Sequence, residues 1–301
     1  MKELKFTIGV EDAGSRIDKC IALRLGEDFS RTYVKFLMDG GFVEVNGKDV
    51  KPRYAARKGD EVLVRMAPQE RGEALAPEAI PLDILYEDEW IVVINKPAGM
   101  VVHPGAGNKT GTLANALLHH CEKLADTGDE LRPGIVHRLD KDTTGVIVAA
   151  KKDRALRSLA RQFQHRIVKK KYVALVKGQV ELDNGIIEAP VARHAVNRKK
   201  MSVEYVKGKK AQTAYHVVQR FKNFTMLELD LKTGRTHQIR VHMKHLGHPI
   251  LGDRTYGQTD GVARQALHAE MLAFTHPDTG KPVEFHAPLP RDMQEIIEKG
   301  D

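Results

Sequence analysis

Residues 134–151 read GIVHRLDKDTTGVIVAAK. The second half, Gly145 to Ala150, is an unbroken apolar run, which suits a strand buried in a core. The first half is polar and turn-forming, and it places Asp140 just before that strand. A carboxylate at a strand edge, bracketed by Arg138 and Lys141, stands in a positive field. Such a field favours the ionised form that a nucleophile or base requires. Taken alone, the same residue also fits a turn aspartate bonded to its own backbone.

Working outward, Trp90 to Ile94, Tyr172 to Val176 and Thr213 to Arg220 read as further strands. Leu227, Leu229 and Leu231 alternate with Glu228, Asp230 and Lys232, the pattern of a half-buried strand. A helix is expected after an N-cap at Asp153, with Leu156, Leu159, Ala160 and Phe163 on its inner face. Arg154, Arg157 and Arg161 fall nearly opposite and form a basic stripe. Another helix begins near Thr236. Strands with helices between them predict an α+β catalytic domain over residues 81–301, a mixed, mainly antiparallel sheet flanked by helices.

Two stretches precede that domain. Residues 67–80 lack periodicity and read as a linker. Within residues 14–66, Arg16 to Leu25 and Arg31 to Met38 read as helices, the second N-capped by Ser30 and ending at Gly40-Gly41. Asn46-Gly47 predicts a tight hairpin, and Glu61 to Met66 reads as a closing strand. GSRIDKCIA, SRTYVKFLMDGGFVEVNGK and ARKGDEVLV resemble the alpha-L RNA-binding module. Arg16, Lys19, Arg31 and Lys35 recur at helical spacing and suit phosphate contacts.

Composition limits the function classes. The 301-residue chain carries a net charge of +8, which suits a polyanionic partner. The charge is concentrated. Residues 151–172 hold nine Lys or Arg against one acid, and residues 193–210 hold seven against one. Two distant cysteines exclude a disulfide framework or a cysteine-based zinc site. No apolar run approaches a membrane span. The start, MKELKF, has no apolar signal region, so a cytoplasmic location is expected.

Two more blocks carry candidate chemistry. In LKTGRTHQIRVHMKHLGHPILGD (231–253), Arg235 stands at a strand-to-helix junction, where a guanidinium can clasp a carboxylate from elsewhere. In KKKYVALVKG (169–178), Tyr172 follows a basic run and can stack on an extruded base. Other readings compete with RNA chemistry. His237, His242, His245 and His248 crowd one segment, but no HExxH pattern supports a metal. GAGNKTGT (105–112) breaks the phosphate-loop pattern at Asn108. A non-catalytic RNA-binding protein would leave Asp140, Tyr172 and Arg235 unexplained.

Together, NKPAGMVVHPG (95–105), HRLDKDTTG (137–145), KKYVALVKG (170–178), TGRTHQIRVH (233–242), HPILGDRTYG (248–257), QALHAEMLAFTHPDTG (265–280) and EFHAPLP (284–290) resemble the RluA-type pseudouridine synthases over nearly the whole chain. The resemblance implies an isomerase that converts uridine in RNA to pseudouridine, with no metal and no other cofactor. It implies Asp140 as the catalytic aspartate, Arg235 as its ion-pair partner and Tyr172 as the ring stacked on uracil. Arg138 would replace the extruded base, Ile239 would pack beneath the site, and His137 and Lys171 would join the RNA contacts. Expected targets are uridines of large-subunit ribosomal RNA, with transfer RNA as the alternative, and the expected form is a monomer. Exhaustive chelation should leave product formation on prefolded RNA undiminished. A loss that added zinc restores would overturn that expectation.

Overall fold

The apolar run at 145–150 forms a strand buried on both faces. The structure, a computed structural model, describes residues 2–26, 29, 31–67, 75–105, 107–127, 129, 131–198, 200–258 and 261–300, without the side chains of 2, 31 and 32. The expected Ser30 cap and residues 68–74 of the 67–80 linker lie outside the described residues, as does the Arg31 side chain. Contacts divide the chain into Met1–Leu75 with Asp126–Leu131, and Ala76–Ala125 with Arg132–Asp301.

The first unit contains β1 (Lys2–Thr7), α1 (Ile17–Leu25), α2 (Arg31–Asp39), β2 (Val43–Val45), β3 (Lys48–Asp49) and β4 (Glu61–Met66). Its sheet runs β1-β4-β2-β3. Asn46 and Gly47 both have positive φ, 52° and 71°, the geometry of the tight hairpin between β2 and β3. Ile17, Ile21, Val34, Leu37, Val62 and Val64 meet in its core. Strand β1, which lies ahead of the module read from sequence, pairs with β4 from Lys2 opposite Met66 to Thr7 opposite Glu61.

The second unit contains β5 (Ile84–Glu87), β6 (Ile91–Lys96), α3 (Leu113–His120), β7 (Thr144–Ala150), α4 (Asp153–Gln164), β8 (Lys169–Lys177), β9 (Asn184–Glu188), β10 (Val191–Arg193) and β11 (Met201–Val203). It continues with β12 (Gln212–Arg220), β13 (Phe224–Leu231), α5 (Gln238–His245), β14 (Leu267–Thr275), β15 (Pro282–His286) and α6 (Arg291–Glu298). Strands β10 and β11 form a separate ribbon. The main sheet runs β5-β6-β7-β14-β8-β13-β12-β9, with β15 on β14. Its pairs are antiparallel except β7 with β14, where Thr144 and Gly145 face His268 and Ala269. The fold is α+β.

Every residue of β7 is buried. Val146, Val148 and Ala150 enter one core and Ile147 and Ala149 the other. Two covered faces explain the continuous apolar run. On β13, Leu227, Leu229 and Leu231 are buried between half-exposed Glu228 and Asp230. Helix α4 departs in detail from its sequence reading. Lys152, not Asp153, holds the cap position, and Ala160 is exposed. Buried Gln162 takes an inner place because its amide mimics a strand edge, donating to Thr275 O at 2.8 Å and accepting from Thr275 N at 2.8 Å.

Gly145 lies where β7 meets β14. Its φ is 111°, and a Cβ there would fall 2.1 Å from the carbonyl oxygen of Ala269. Strand backbone cannot give way locally, so Gly145→Ala forces β7 and β14 apart. The expected cost is about 3 kcal/mol, seen as a lower thermal midpoint. An unchanged midpoint would contradict the close approach.

Candidate active site

Asp140 lies in the loop that feeds β7, and each residue from 140 to 144 is fastened by a different partner. Oδ2 of Asp140 accepts from Arg240 Nη1 at 2.9 Å. Lys141 O accepts from Lys96 Nζ at 3.0 Å, and Asp142 O from Arg264 Nη1 at 3.0 Å. Thr143 Oγ1 accepts from Gln265 Nε2 at 3.2 Å, and Thr144 Oγ1 lies 2.9 Å from His268 Nδ1. Among the described residues, Oδ1 of Asp140 has no hydrogen-bond partner. The carboxylate is thus held by one oxygen and open at the other.

The cation on Asp140 corrects the sequence expectation. Arg235 is half-exposed and donates from Nε to Lys210 O at 3.2 Å. It lines the pocket but does not clasp the aspartate. That place belongs to Arg240, in the first turn of α5. Arg240 also donates from Nε and Nη2 to the two oxygens of Asp253, at 2.7 and 2.9 Å. The side chains of Arg240 and Asp253 are 7% and 0% exposed. A buried charge must be paired, and here one guanidinium serves two carboxylates. The pairing raises the Arg240 pKa despite burial. Asp253 is held below the usual carboxylate range by Arg240 and by the amides of Thr255 and Tyr256, against the opposing effect of burial.

Both arginines stand in the segment TGRTHQIRVH. Gln238 to Met243 are buried throughout, so α5 has no amphipathic stripe to show which arginine turns inward. The usable signal was that Arg240 stands between apolar Ile239 and Val241, and a charge carried into a core demands a buried partner.

Lys96 is fully buried. Burial pushes it down to about 7, against the pull of Asp142 and Asp140. Its Nζ reaches Pro97 O, Met100 O and Lys141 O at 2.7, 2.9 and 3.0 Å. Three carbonyl acceptors need three donors, which only the ammonium supplies. Sequence reasoning overlooked this lysine and Asp253.

The pocket at Asp140 is walled by Leu139, Tyr172, Leu231, Ile239 and Leu267, with Arg138, Arg235 and His237 among its polar residues. Ile239 is buried among the lining residues. Tyr172 lies on β8. Burial, then the nearby Asp140 charge, raise its pKa, so it stays a neutral phenol. Arg138 is exposed, with Nη1 3.5 Å from His103 Nε2.

His137 departs from the expected RNA contact. Its Nε2 accepts from Val148 N at 3.1 Å, and its ring stacks on Phe163 at 4.6 Å. Burial, then Lys170, push it down to about 3. It is a neutral brace for β7 and cannot serve as a cationic phosphate contact. Lys171 is tied to Glu228 at 2.8 Å. Alternation along β8 puts Lys170, rather than Lys171, on the face of Tyr172. Burial, then Arg166, push Lys170 down to about 8.

Arg154, Arg157 and Arg161 are exposed along α4. In the first unit, Lys19 and Lys35 are exposed, whereas Arg16 is paired with Asp18 at 2.7 Å. The crowded histidines diverge. His242 is buried between Ala189 O and Thr213, His248 meets Lys177 O, and His245 is exposed.

Residues 90–245 match the family model described as RNA pseudouridylate synthase. The chain is 48% identical over 300 residues to an uncharacterized RNA pseudouridine synthase, YlyB, of Bacillus subtilis, covering 99% of this chain and 98% of the relative. It is 45% identical over 313 residues to ribosomal large subunit pseudouridine synthase D of Pasteurella multocida, covering 98% and 94%. Among solved structures, human RNA pseudouridylate synthase domain containing 1 superposes with a TM-score of 0.57 at 25% identity, covering 77% of this chain and 97% of that one.

The shared guanidinium separates the two arginines by experiment. Arg240→Lys supplies a cation that cannot span both carboxylates, leaving buried Asp253 poorly paired. It should cost about 3 kcal/mol of stability and lower the thermal midpoint. Arg235→Ala should leave the midpoint in place. Equal midpoints for the two variants would refute the assignment.

Proposed function

Because the chain belongs to the RNA pseudouridine synthase family, which isomerises uridine to pseudouridine in RNA, we propose that Asp140 is the reacting carboxylate and that the targets are uridines of large-subunit ribosomal RNA. The observation that carries the site is Asp140, which lines the pocket, is anchored through Oδ2 and, among the described residues, has no hydrogen-bond partner on Oδ1. The ribosomal target is supported by relatives named for the large ribosomal subunit at about 45% identity over nearly full length.

The reaction breaks N1–C1′, turns the uracil, joins C5 to C1′, removes the C5 proton and leaves a proton on N1. No atom enters or leaves overall. The uridine first leaves its stack, at a cost of a few kcal/mol. The neutral ring of Tyr172 receives the uracil by stacking. Arg138, at the exposed mouth, fills the place the base has left. Oδ1 of Asp140 meets the nucleoside, and Arg240 keeps the carboxylate oriented without itself giving up a proton. The C5 proton goes to Asp140 or to water, since the neutral Tyr172 phenol is a poor acceptor.

Arg154, Arg157 and Arg161 form an exposed stripe on α4 that suits phosphates, and Lys170 stands on the pocket side of β8. Residues 14–66, with exposed Lys19 and Lys35, act as an RNA-holding module ahead of the catalytic domain, working in a cytoplasmic monomer. Among the described residues no helix is long and apolar enough to cross a membrane.

Asp140→Ala should lower product formation more than about 10³-fold while RNA affinity holds. Pseudouridine mapping in cells with and without the gene should show the lost positions in large-subunit ribosomal RNA. Loss confined to transfer RNA would overturn the ribosomal assignment, and activity surviving in Asp140→Ala would overturn the role of that carboxylate.

A further inference from the structure

His237 is a non-glycine residue with φ of 56°, in the left-handed region, at the N-cap position of α5, and its side chain makes no capping bond. Such a conformation persists when something else requires it. The ring explains the requirement. Nδ1 lies 2.8 Å from the hydroxyl of Tyr256, and the two rings meet edge to face at 5.6 Å. The Tyr256 oxygen already accepts from Met201 N at 2.7 Å. A phenol has one proton, and among the described residues His237 Nδ1 is its only acceptor. Tyr256 therefore donates to Nδ1, which leaves the ring proton of neutral His237 on Nε2.

That Nε2–H faces Asp140. It lies 3.8 Å from Oδ2, the oxygen that Arg240 already holds at 2.9 Å. Tyr256 also sets the second partner: the Arg240 guanidinium lies over its ring at 5.1 Å, and its amide donates to Asp253 Oδ1 at 3.1 Å. One tyrosine thus aims both donors at one oxygen. A separation of 3.8 Å is too long for a hydrogen bond. Catalytic hydrogen bonds are often long in an empty site and tighten when substrate fills it.

We propose that His237, fixed in its Nε2–H tautomer by Tyr256, is a positioning residue that secures Oδ2 of Asp140 and so leaves Oδ1 alone to meet the nucleoside. The inference rests on Asp140 being the reacting carboxylate.

Glutamine and asparagine separate this role from a backbone role. Asparagine tolerates the left-handed conformation better, but its amide stops short of the Nε2 position. Glutamine reaches that position and fits the backbone less well. In single-turnover assays His237→Asn should lose about 20-fold in rate, while His237→Gln falls about threefold. Tyr256→Phe, which frees the tautomer, should lose about tenfold. RNA affinity should hold in all three. Equal rates in all variants, a larger loss in His237→Gln than in His237→Asn, or affinity changes that match the rate changes would each overturn the proposal. Asp140→Ala, measured alongside, tests the reading beneath it. Residual activity there sinks that reading, whereas an inactive Asp140→Ala beside an undiminished His237→Asn sinks only the role given to His237.

Discussion

The guanidinium of Arg240, shared between Asp140 and Asp253, is the interaction on which the site depends. Its carriers are far apart in sequence: the loop before β7, the first turn of α5 and the segment after Ile250. A buried arginine cannot shed its proton, and two carboxylates beside it cannot move apart without leaving a charge unpaired. The three segments are therefore held together by electrostatic need as well as by packing. The bidentate half of the interaction, on Asp253, is the more deeply buried. It fixes the plane of the guanidinium and so the direction of the remaining N–H toward Asp140.

The loop carrying Asp140 shows the same logic along its length. Lys96, Arg264, Gln265 and His268 each take one successive residue of that loop. These partners come from β6, from the segment ahead of β14 and from β14 itself, the sheet elements on either side of β7. The Asp140 carboxylate is thus positioned by the centre of the sheet. Such preorganisation matters for a reaction in which the bond broken and the bond made both involve C1′, because reorientation of the carboxylate during the reaction would cost rate. Arg264 is in turn paired with Asp292 on α6, at 2.6 Å, so the last helix also bears on the loop.

Charge is divided by depth. Arginines that suit a polyanion stand exposed on α4, where their charged ends are solvated. Two cations near Asp140 are buried and committed, Arg240 to two carboxylates and Lys96 to three carbonyls, whereas Arg138 and Arg235 at the same pocket reach solvent. The histidines follow the same division. His137, His242 and His268 are neutral braces whose ring nitrogens satisfy backbone or hydroxyl groups, and burial keeps their pKa values low.

Much of this was legible from residue order. Periodicity gave β7 and β13 because alternation or its absence reports how many faces a strand buries. Asn46-Gly47 gave a hairpin because both residues accept positive φ. Asp140 stood out because a carboxylate sat between cations at the head of an apolar run. Other features were not legible. Arg235 and Arg240 are five residues apart in one motif, and only the docking of α5 turns the second inward. Gln162 reads as surface until Thr275 arrives to pair with it, and the placement of β8 decides whether Lys170 or Lys171 lies on the side of the sheet that carries the pocket residue Tyr172. Local sequence determined which segments are helix or strand and which residue types carry chemistry, because those follow from neighbours along the chain. Tertiary structure alone decided which cation meets which carboxylate, because that depends on groups a hundred residues apart being buried together.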